Sequence, residues 1–156
     1  MKILLFGSSG QLGTIFLDLI PSKYQLIAPL RSSVDFSSRQ EIEDIIFRHK
    51  PNIIINFAAF TDVDAAEKKQ DLAFLINAKA PSTIAKCARE IEAIFFHIST
   101  DYVYSNEING YLEEDSEIKP CNIYGKSKAL GEQLIKENCK YRSNICKGTA
   151  VQPGAP

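Results

Sequence analysis

No stretch of this chain is long and apolar enough for a membrane span or a secretory leader, because the run Met1–Phe6 is broken at once by Gly7. An excess of charge of one sign is also missing. Lys and Arg number 18 against 19 Asp and Glu, a formal net charge of −1, so no basic stripe offers itself to nucleic acid or to an anionic membrane. The four cysteines, Cys87, Cys121, Cys139 and Cys146, form no C-x-x-C pair. His49 and His97 stand far from them and from each other, which argues against a zinc site. Thiols of this kind in a chain without a leader point to a reducing, cytoplasmic compartment. There is no low-complexity tract and no internal repeat beyond an alternation of strand and helix. What is present is ordinary for a globular domain: 156 residues, 45% hydrophobic and 24% charged.

The alternation predicts an α/β fold. Lys2 to Phe6 is a continuous apolar run, as a strand buried on both faces requires. Gly10 to Ile20 carries Leu12, Ile15, Phe16 and Leu19 at helical spacing, and Pro21 stops it. Tyr24 to Ala28 reads as a second strand, Pro29 to Ser33 as a turn, and Val34 to Phe36 as a short strand. Ser38-Arg-Gln-Glu41 is a capping box that launches a helix with Ile42, Ile45 and Ile46 on its inner face. Ile53 to Asn56 is a third strong strand, closed by a small-residue turn from Phe57 to Thr61. A long helix from about Asp71 to Glu90 leads to another apolar strand, Ile94 to Ser99. From Asp101 to Asn122 the chain reads as loop, with a turn at Asn109-Gly110, before a last helix from Tyr124 to Glu137. Strand and helix in regular succession imply right-handed crossovers and a Rossmann-like, doubly wound parallel sheet flanked by helices over residues 1–138. Residues 139–156 read as an irregular tail in which the next expected strand, at about Tyr141, is absent. That leaves the outer edge of the Ile94 strand unpaired, an arrangement that invites a homodimer, a partner or aggregation.

Three segments carry chemistry. Gly7-Ser-Ser-Gly10-Gln-Leu-Gly13 lies where the first strand meets the first helix, so its backbone N–H groups can approach a pyrophosphate at a helix N-terminus. The stretch from Ala28 to Val34 lacks the carboxylate that would hold the ribose hydroxyls of NADH and contains Arg31, suited to a 2′-phosphate; the expected cofactor is therefore NADPH, with NADH as the alternative. Asp35 and Phe36 can border the adenine, and the small residues Ala58 and Ala59 allow close approach of backbone to cofactor. Tyr124-Gly-Lys-Ser-Lys128 sets a phenol and an ammonium one helical turn apart. Two charges about 4 Å apart at an effective dielectric near 20 interact by roughly 4 kcal/mol, enough to pull a tyrosine from its usual value of about 10 toward neutrality. Such a spacing is common by chance, and Ser99-Thr100-Asp101-Tyr102 gives it context: hydroxyls at the carboxyl edge of the sheet can orient a carbonyl toward Tyr124. Asn77 precedes Pro81 by four residues, which leaves the Asn77 carbonyl without its helical donor, in a place where a water can relay protons toward Lys128.

Taken with Asn56-Phe-Ala-Ala-Phe-Thr-Asp-Val-Asp-Ala-Ala-Glu67 and Ser99-Thr-Asp-Tyr-Val-Tyr104, the glycine loop and Tyr124-Gly-Lys-Ser-Lys-Ala-Leu-Gly-Glu132 resemble the extended short-chain dehydrogenases, and within them the dTDP-4-dehydrorhamnose reductases. The resemblance runs in register from Met1 to about Lys140. It implies a catalytic triad of Thr100, Tyr124 and Lys128, a pyrophosphate on Gly10, Gln11 and Leu12, and a cofactor lining of Ala59, Phe60 and Thr61 to which Gly7, Gly13, Ala58 and Ser99 also belong. It implies Asp101 and Tyr102 as contacts to a nucleotide-sugar substrate. The implied reaction is reduction of the C4 ketone of dTDP-4-dehydro-L-rhamnose. Family members carry a metal-binding acid on the first helix where Ile15 stands here, so no metal is expected. The family continues with a further strand and a substrate lobe that residues 139–156 do not match, so the chain reads as cut short after its cofactor-binding part. Two other readings stay open: a cofactor-binding protein without turnover, similar to the regulatory beta subunit of methionine adenosyltransferase, and a nucleotide-sugar epimerase or other reductase.

Overall fold

The computed structural model describes residues 1–104, 116–139 and 143–147. Five parallel strands, β1 (Lys2–Phe6), β2 (Gln25–Ile27), β3 (Ile53–Asn56), β4 (Ile94–Ile98) and β5 (Ser143–Cys146), form one sheet in the order β2-β1-β3-β4-β5. The inner strands are hydrogen-bonded on both sides, and alternate residues feed two different cores. Leu4, Phe6, Ile54 and Phe95 meet one face, while Ile3, Leu5 and Ile55 meet the other. Double-sided burial is why these strands read as unbroken apolar runs.

Three long helices close the first face. They are α2 (Arg39–His49), α5 (Ala80–Glu90) and α6 (Ile123–Asn138), contributing Ile42, Ile46, Ile84, Ala85, Ala88 and Ile135 to that core. Each fully buried Leu or Ile adds roughly 2 kcal/mol of hydrophobic stabilisation. The second face carries α1 (Gln11–Leu19). Its sheet-facing stripe is Gly13, Phe16 and Ile20; Leu12, Ile15 and Leu19, one position earlier and hence rotated by about 100°, are 51%, 56% and 75% exposed.

Local signals account for most boundaries. The Ser38 hydroxyl accepts from the Glu41 N–H at 3.3 Å, while the Glu41 carboxylate reaches past Ser38 to the Asp35 N–H at 2.8 Å. The box thus caps α2 and ties down the preceding turn. Val34 to Phe36 is turn and bend rather than strand, because Asp35 folds its carboxylate onto Ser37 and so closes the backbone on itself. The helix expected from about Asp71 is preceded by α3 (Val63–Lys68), capped by Asp62. It then runs as α4 (Gln70–Phe74), a π turn (Leu75–Lys79) and α5. The π turn follows from Pro81, which has no N–H for the Asn77 carbonyl; Ala80 bonds Leu75 instead, five residues back.

The structure corrects the expectation that no strand follows α6. β5 pairs parallel with β4, Phe95 opposite Ser143 and Ile98 opposite Cys146. Its sequence hides it, since Ile145 is its one strong apolar residue and reaches the α2–α5–α6 core from the pleat. The ladder offered by β4 makes the strand, not the propensity of Ser143 and Asn144. The outer edge of β4 is consequently covered, and the argument for dimerisation through it falls. The turn expected at Asn109-Gly110 and the segment 148–156 lie outside the described residues.

Candidate active site

The carboxyl ends of β1, β3 and β4 gather the sequence-marked residues at one edge of the sheet. After β1, Gly7 takes φ +80°, and a Cβ there would sit 2.4 Å from the Ala58 N; one at Gly13 would sit 2.2 Å from the Gly7 carbonyl oxygen. Turn, helix and β3 are therefore locked together by the absence of side chains. Gly10 differs, since a Cβ there meets nothing closer than 3.5 Å. It is the N-cap of α1 and supplies no side-chain hydrogen bond, so the first N–H groups of the helix, from Gln11 and Leu12 onward, stay available to an anion. Packing does not require glycine at this position, and its absent side chain leaves the backbone open to approach.

Arg31 is exposed in the turn after β2. Asp35, expected near an adenine, already accepts from the Ser37 hydroxyl and N–H at 2.7 and 2.8 Å, hydrogen bonds that hold its carboxyl below the usual range. Phe36 stacks edge-on to Phe6, ring centres 5.1 Å apart, and belongs to the core wall beneath the site. Beyond β3, Ala58 and Ala59 are half-buried and Thr61 is exposed, while the Phe60 backbone is clasped on both sides by one amide. Phe60 N–H donates to Asn77 Oδ1 at 2.8 Å, and Asn77 Nδ2 donates to the Phe60 carbonyl at 3.0 Å and to Ser127 Oγ at 3.0 Å. The Asn77 side chain, rather than its carbonyl alone, thus fastens the β3 turn to α6. The carbonyl itself lies against α6, where a Cβ on Gly131 would be 2.3 Å away.

After β4 the chain enters a short 3₁₀ turn (Asp101–Val103), capped by Thr100 through Tyr102 N–H at 3.3 Å. This turn brings Thr100 and Tyr102 onto Tyr124. The Thr100 hydroxyl donates to Asp101 Oδ1 at 3.1 Å and stands close enough to the Tyr124 phenol to act on its proton, and the Tyr102 ring meets that of Tyr124 edge-on at 5.5 Å. Asn122 caps α6 by accepting from the Gly125 N–H at 2.7 Å, which fixes the phenol in the first turn of the helix. The Tyr124 phenol is raised above its ordinary value, chiefly by burial, with the nearby Thr100 hydroxyl opposing the rise and Asp101 and Tyr102 adding to it. The lowering anticipated from Lys128 is absent, because Lys128 is turned elsewhere.

Lys128, 2% exposed, points into the sheet and donates to the Ile98 carbonyl at 2.6 Å. Its Nζ lies 3.3 Å from His97 Nε2, and His97 Nδ1 lies 3.1 Å from Asn56 Nδ2. Burial lowers Lys128 from 10.5 to about 8, against an upward pull from the Glu132 carboxylate one turn further along α6. Burial, and then the Lys128 charge, hold His97 well below 6.5. Ser99, expected at the cofactor, instead donates its hydroxyl to the fully buried Glu132. The other Glu132 oxygen accepts no hydrogen bond and faces Lys147 Nζ of the β5 end at 3.6 Å.

Sequence reasoning missed Asn56, His97 and Glu132 as members of the site. Glu132 was within reach, being four residues after Lys128 on the same helical face. His97 and Asn56 carried no local signal, since their pairing depends on the register that sets Asn56 opposite His97 across β3 and β4. Among the described residues no group of acidic, histidine or cysteine side chains is arranged to hold a metal, and no helix is long and apolar enough to cross a membrane.

The chain has counterparts among known proteins. A spore coat polysaccharide biosynthesis protein of Bacillus subtilis, SpsK, is 37% identical over 140 residues, which are 89% of this chain and 50% of that protein. The dTDP-4-dehydrorhamnose reductase of Salmonella typhimurium is 37% identical over 143 residues, 89% of this chain and 48% of the relative. The crystal structure of the Bacillus anthracis dTDP-4-dehydrorhamnose reductase, in complex with NADP, superposes with a TM-score of 0.89 at 32% identity, covering 94% of this chain and 52% of that one. The chain spans about half the length of the relatives it matches. The model of the RmlD substrate binding domain matches residues 1–147, and the chain belongs to that family.

Proposed function

We propose that this chain is the cofactor-binding part of an NADPH-dependent reductase that acts on the C4 ketone of dTDP-4-dehydro-L-rhamnose in the cytoplasm. The observation that carries the reading is the meeting of Tyr124 on α6 with the turn after β4, its ring edge-on to Tyr102 at 5.5 Å and Thr100 beside its phenol, on the same sheet edge as the open-sided Gly10 turn. Gly7, Gly10, Gln11, Leu12 and Gly13 would hold the pyrophosphate, Ala58 to Thr61 would line the nicotinamide half, and Arg31 would meet the 2′-phosphate. A reduced nicotinamide bound there supplies a hydride. Thr100 orients the substrate carbonyl, Tyr124 gives its proton to the developing alkoxide, and the raised phenol keeps that proton in place until it is needed. Asp101 and the 43% exposed Tyr102 would meet the sugar.

NADPH titration and turnover with dTDP-4-dehydro-L-rhamnose test this directly. Tyr124→Phe is expected to lower turnover by roughly 10²- to 10⁴-fold with NADPH affinity unchanged. Wild-type turnover in the variant would remove Tyr124 from its role, and failure of the wild-type protein to bind NADPH would sink the whole reading. Arg31→Ala is expected to weaken NADPH more than NADH. A second reading is a cofactor-binding protein without turnover. It predicts NADPH binding with no turnover.

A further inference from the structure

The hydrogen-bond polarity behind Lys128 can be worked out from one fixed end. Ala58 N–H donates to Asn56 Oδ1 at 2.9 Å, and a backbone N–H can only donate. The amide of Asn56 is thereby oriented, and its Nδ2 must donate to His97 Nδ1 at 3.1 Å. An imidazole that accepts at Nδ1 and is neutral carries its proton on Nε2. His97 is 1% exposed, in surroundings that disfavour its charged form. The Nε2–H then faces Lys128 Nζ at 3.3 Å. An ammonium has three donors and no acceptor, so it would set a donor against a donor; an amine has a lone pair and accepts. Lys128 still donates to the Ile98 carbonyl at 2.6 Å in either state. The opposite tautomer does not relieve the conflict. It aims the ring Nδ1–H at the Asn56 NH₂, and turning that amide over sets the NH₂ against the Ala58 N–H.

We propose that Asn56 and His97 are positioning residues, forming a one-way relay from the Ala58 N–H that favours the neutral amine of Lys128 over its ammonium. The groups facing Lys128 are known on each side. Glu132 on α6 favours the ammonium, His97 on β4 opposes it, and Lys147 on β5 addresses Glu132. Asp101 and Tyr102, on the 3₁₀ turn, act on Tyr124. Relay and Glu132 thus pull in opposite directions, and their balance sets the pH at which Lys128 takes up a proton. The relay rests on the geometry alone, while its meaning for catalysis, control of the pH at which a group one turn behind Tyr124 carries a proton, rests on the reductase reading above.

The test uses the cofactor-free protein and needs no turnover. ¹⁵N spectra of the histidine rings are expected to show His97 as the Nε2–H tautomer, and a ¹³Cε titration of Lys128 to show a midpoint well below that of exposed lysines. Asn56→Asp keeps the acceptor for Ala58 N–H and gives His97 Nδ1 an acceptor, so His97 is expected to move to the Nδ1–H tautomer and the Lys128 midpoint to rise by at least about one pH unit. The added carboxylate also acts by charge alone, so the same substitution is made in a His97→Leu background, where the rise is expected to shrink to less than about a third. An Nδ1–H tautomer in the wild-type protein, or an equal rise in both backgrounds, overturns the relay. If His97→Leu does not fold, the wild-type tautomer decides.

Discussion

The two sides of the candidate site are built from opposite materials. On the β1 side, Gly7, Gly10 and Gly13 shape a surface by having no side chains, and its chemistry is that of backbone N–H groups at the start of α1. On the β4 side, Asn56, His97, Ser99, Lys128 and Glu132 are buried polar side chains in contact with one another, with one Glu132 oxygen left without a hydrogen bond. The first arrangement tolerates no added atom at its packed glycines, yet is insensitive to pH. The second is held by hydrogen bonds between side chains, and its state depends on where protons sit. A backbone surface suits a constant anion, and a buried side-chain network suits a proton that must move.

Substitutions that push each side toward the character of the other sharpen this contrast. The largest effect is expected for Gly7→Ala, which combines a left-handed φ of +80° with a Cβ 2.4 Å from the Ala58 N. A loss of at least about 3 kcal/mol in urea unfolding is expected, with little dependence on pH. An effect below about 1 kcal/mol would show that the turn relaxes and that backbone packing does not define this side.

Lys128→Met probes the other side at comparable size but with a pH signature. Lys128 titrates at about 8 in the fold against 10.5 outside it. Between these values the unfolded chain binds the proton and the native one does not, so the stability contributed by this group rises with pH across that window and is lost as pH falls through about 8. The wild-type protein is therefore expected to gain about 3 kcal/mol relative to Lys128→Met between pH 8 and 10.5. The comparison between the two proteins matters because the buried Cys87 thiol, raised by burial to about 11, acts in the opposite sense in both. A pH-independent difference would mean that Lys128 keeps its charge on folding.

The smallest effect is expected for Gly10→Ala, since a Cβ there has nothing closer than 3.5 Å. Stability should change by less than about 1 kcal/mol, while NADPH affinity falls at least about tenfold if the pyrophosphate lies where proposed. Unchanged affinity would separate the open turn from any role in binding the cofactor.

Strands β1, β3 and β4, the helix starts at Ser38 and near Asn122, and the Gly7–Gly13 turn were legible in the sequence, because burial on both faces, capping and backbone shape each impose a local residue choice. The order in which Thr100, Tyr124 and Lys128 occur was legible too, and the fold brings Thr100 and Tyr124 into contact. Three features were not. β5 has little propensity of its own and is made by the ladder of β4. The exposed stripe Leu12, Ile15 and Leu19 has the spacing of a buried face, and only the seating of α1 over the sheet selects Gly13, Phe16 and Ile20 instead. The direction of Lys128 is likewise a matter of surroundings: spacing sets it beside Tyr124, but the Ile98 carbonyl and His97 draw it inward.

By itself, then, the sequence determined the alternation of parallel strands and helices, the backbone surface after β1, the hydroxyl at the end of β4 and the phenol in the first turn of α6, since each is a local consequence of side-chain size, period or polarity. The tertiary structure alone decided the fifth strand, the inward turn of Lys128 and the polarity of the chain running from Ala58 through Asn56 and His97. Those depend on groups 30 to 50 residues apart being set within hydrogen-bond distance by the register of β3 on β4 and the packing of α6 across the sheet, and no local pattern encodes a partner that distant.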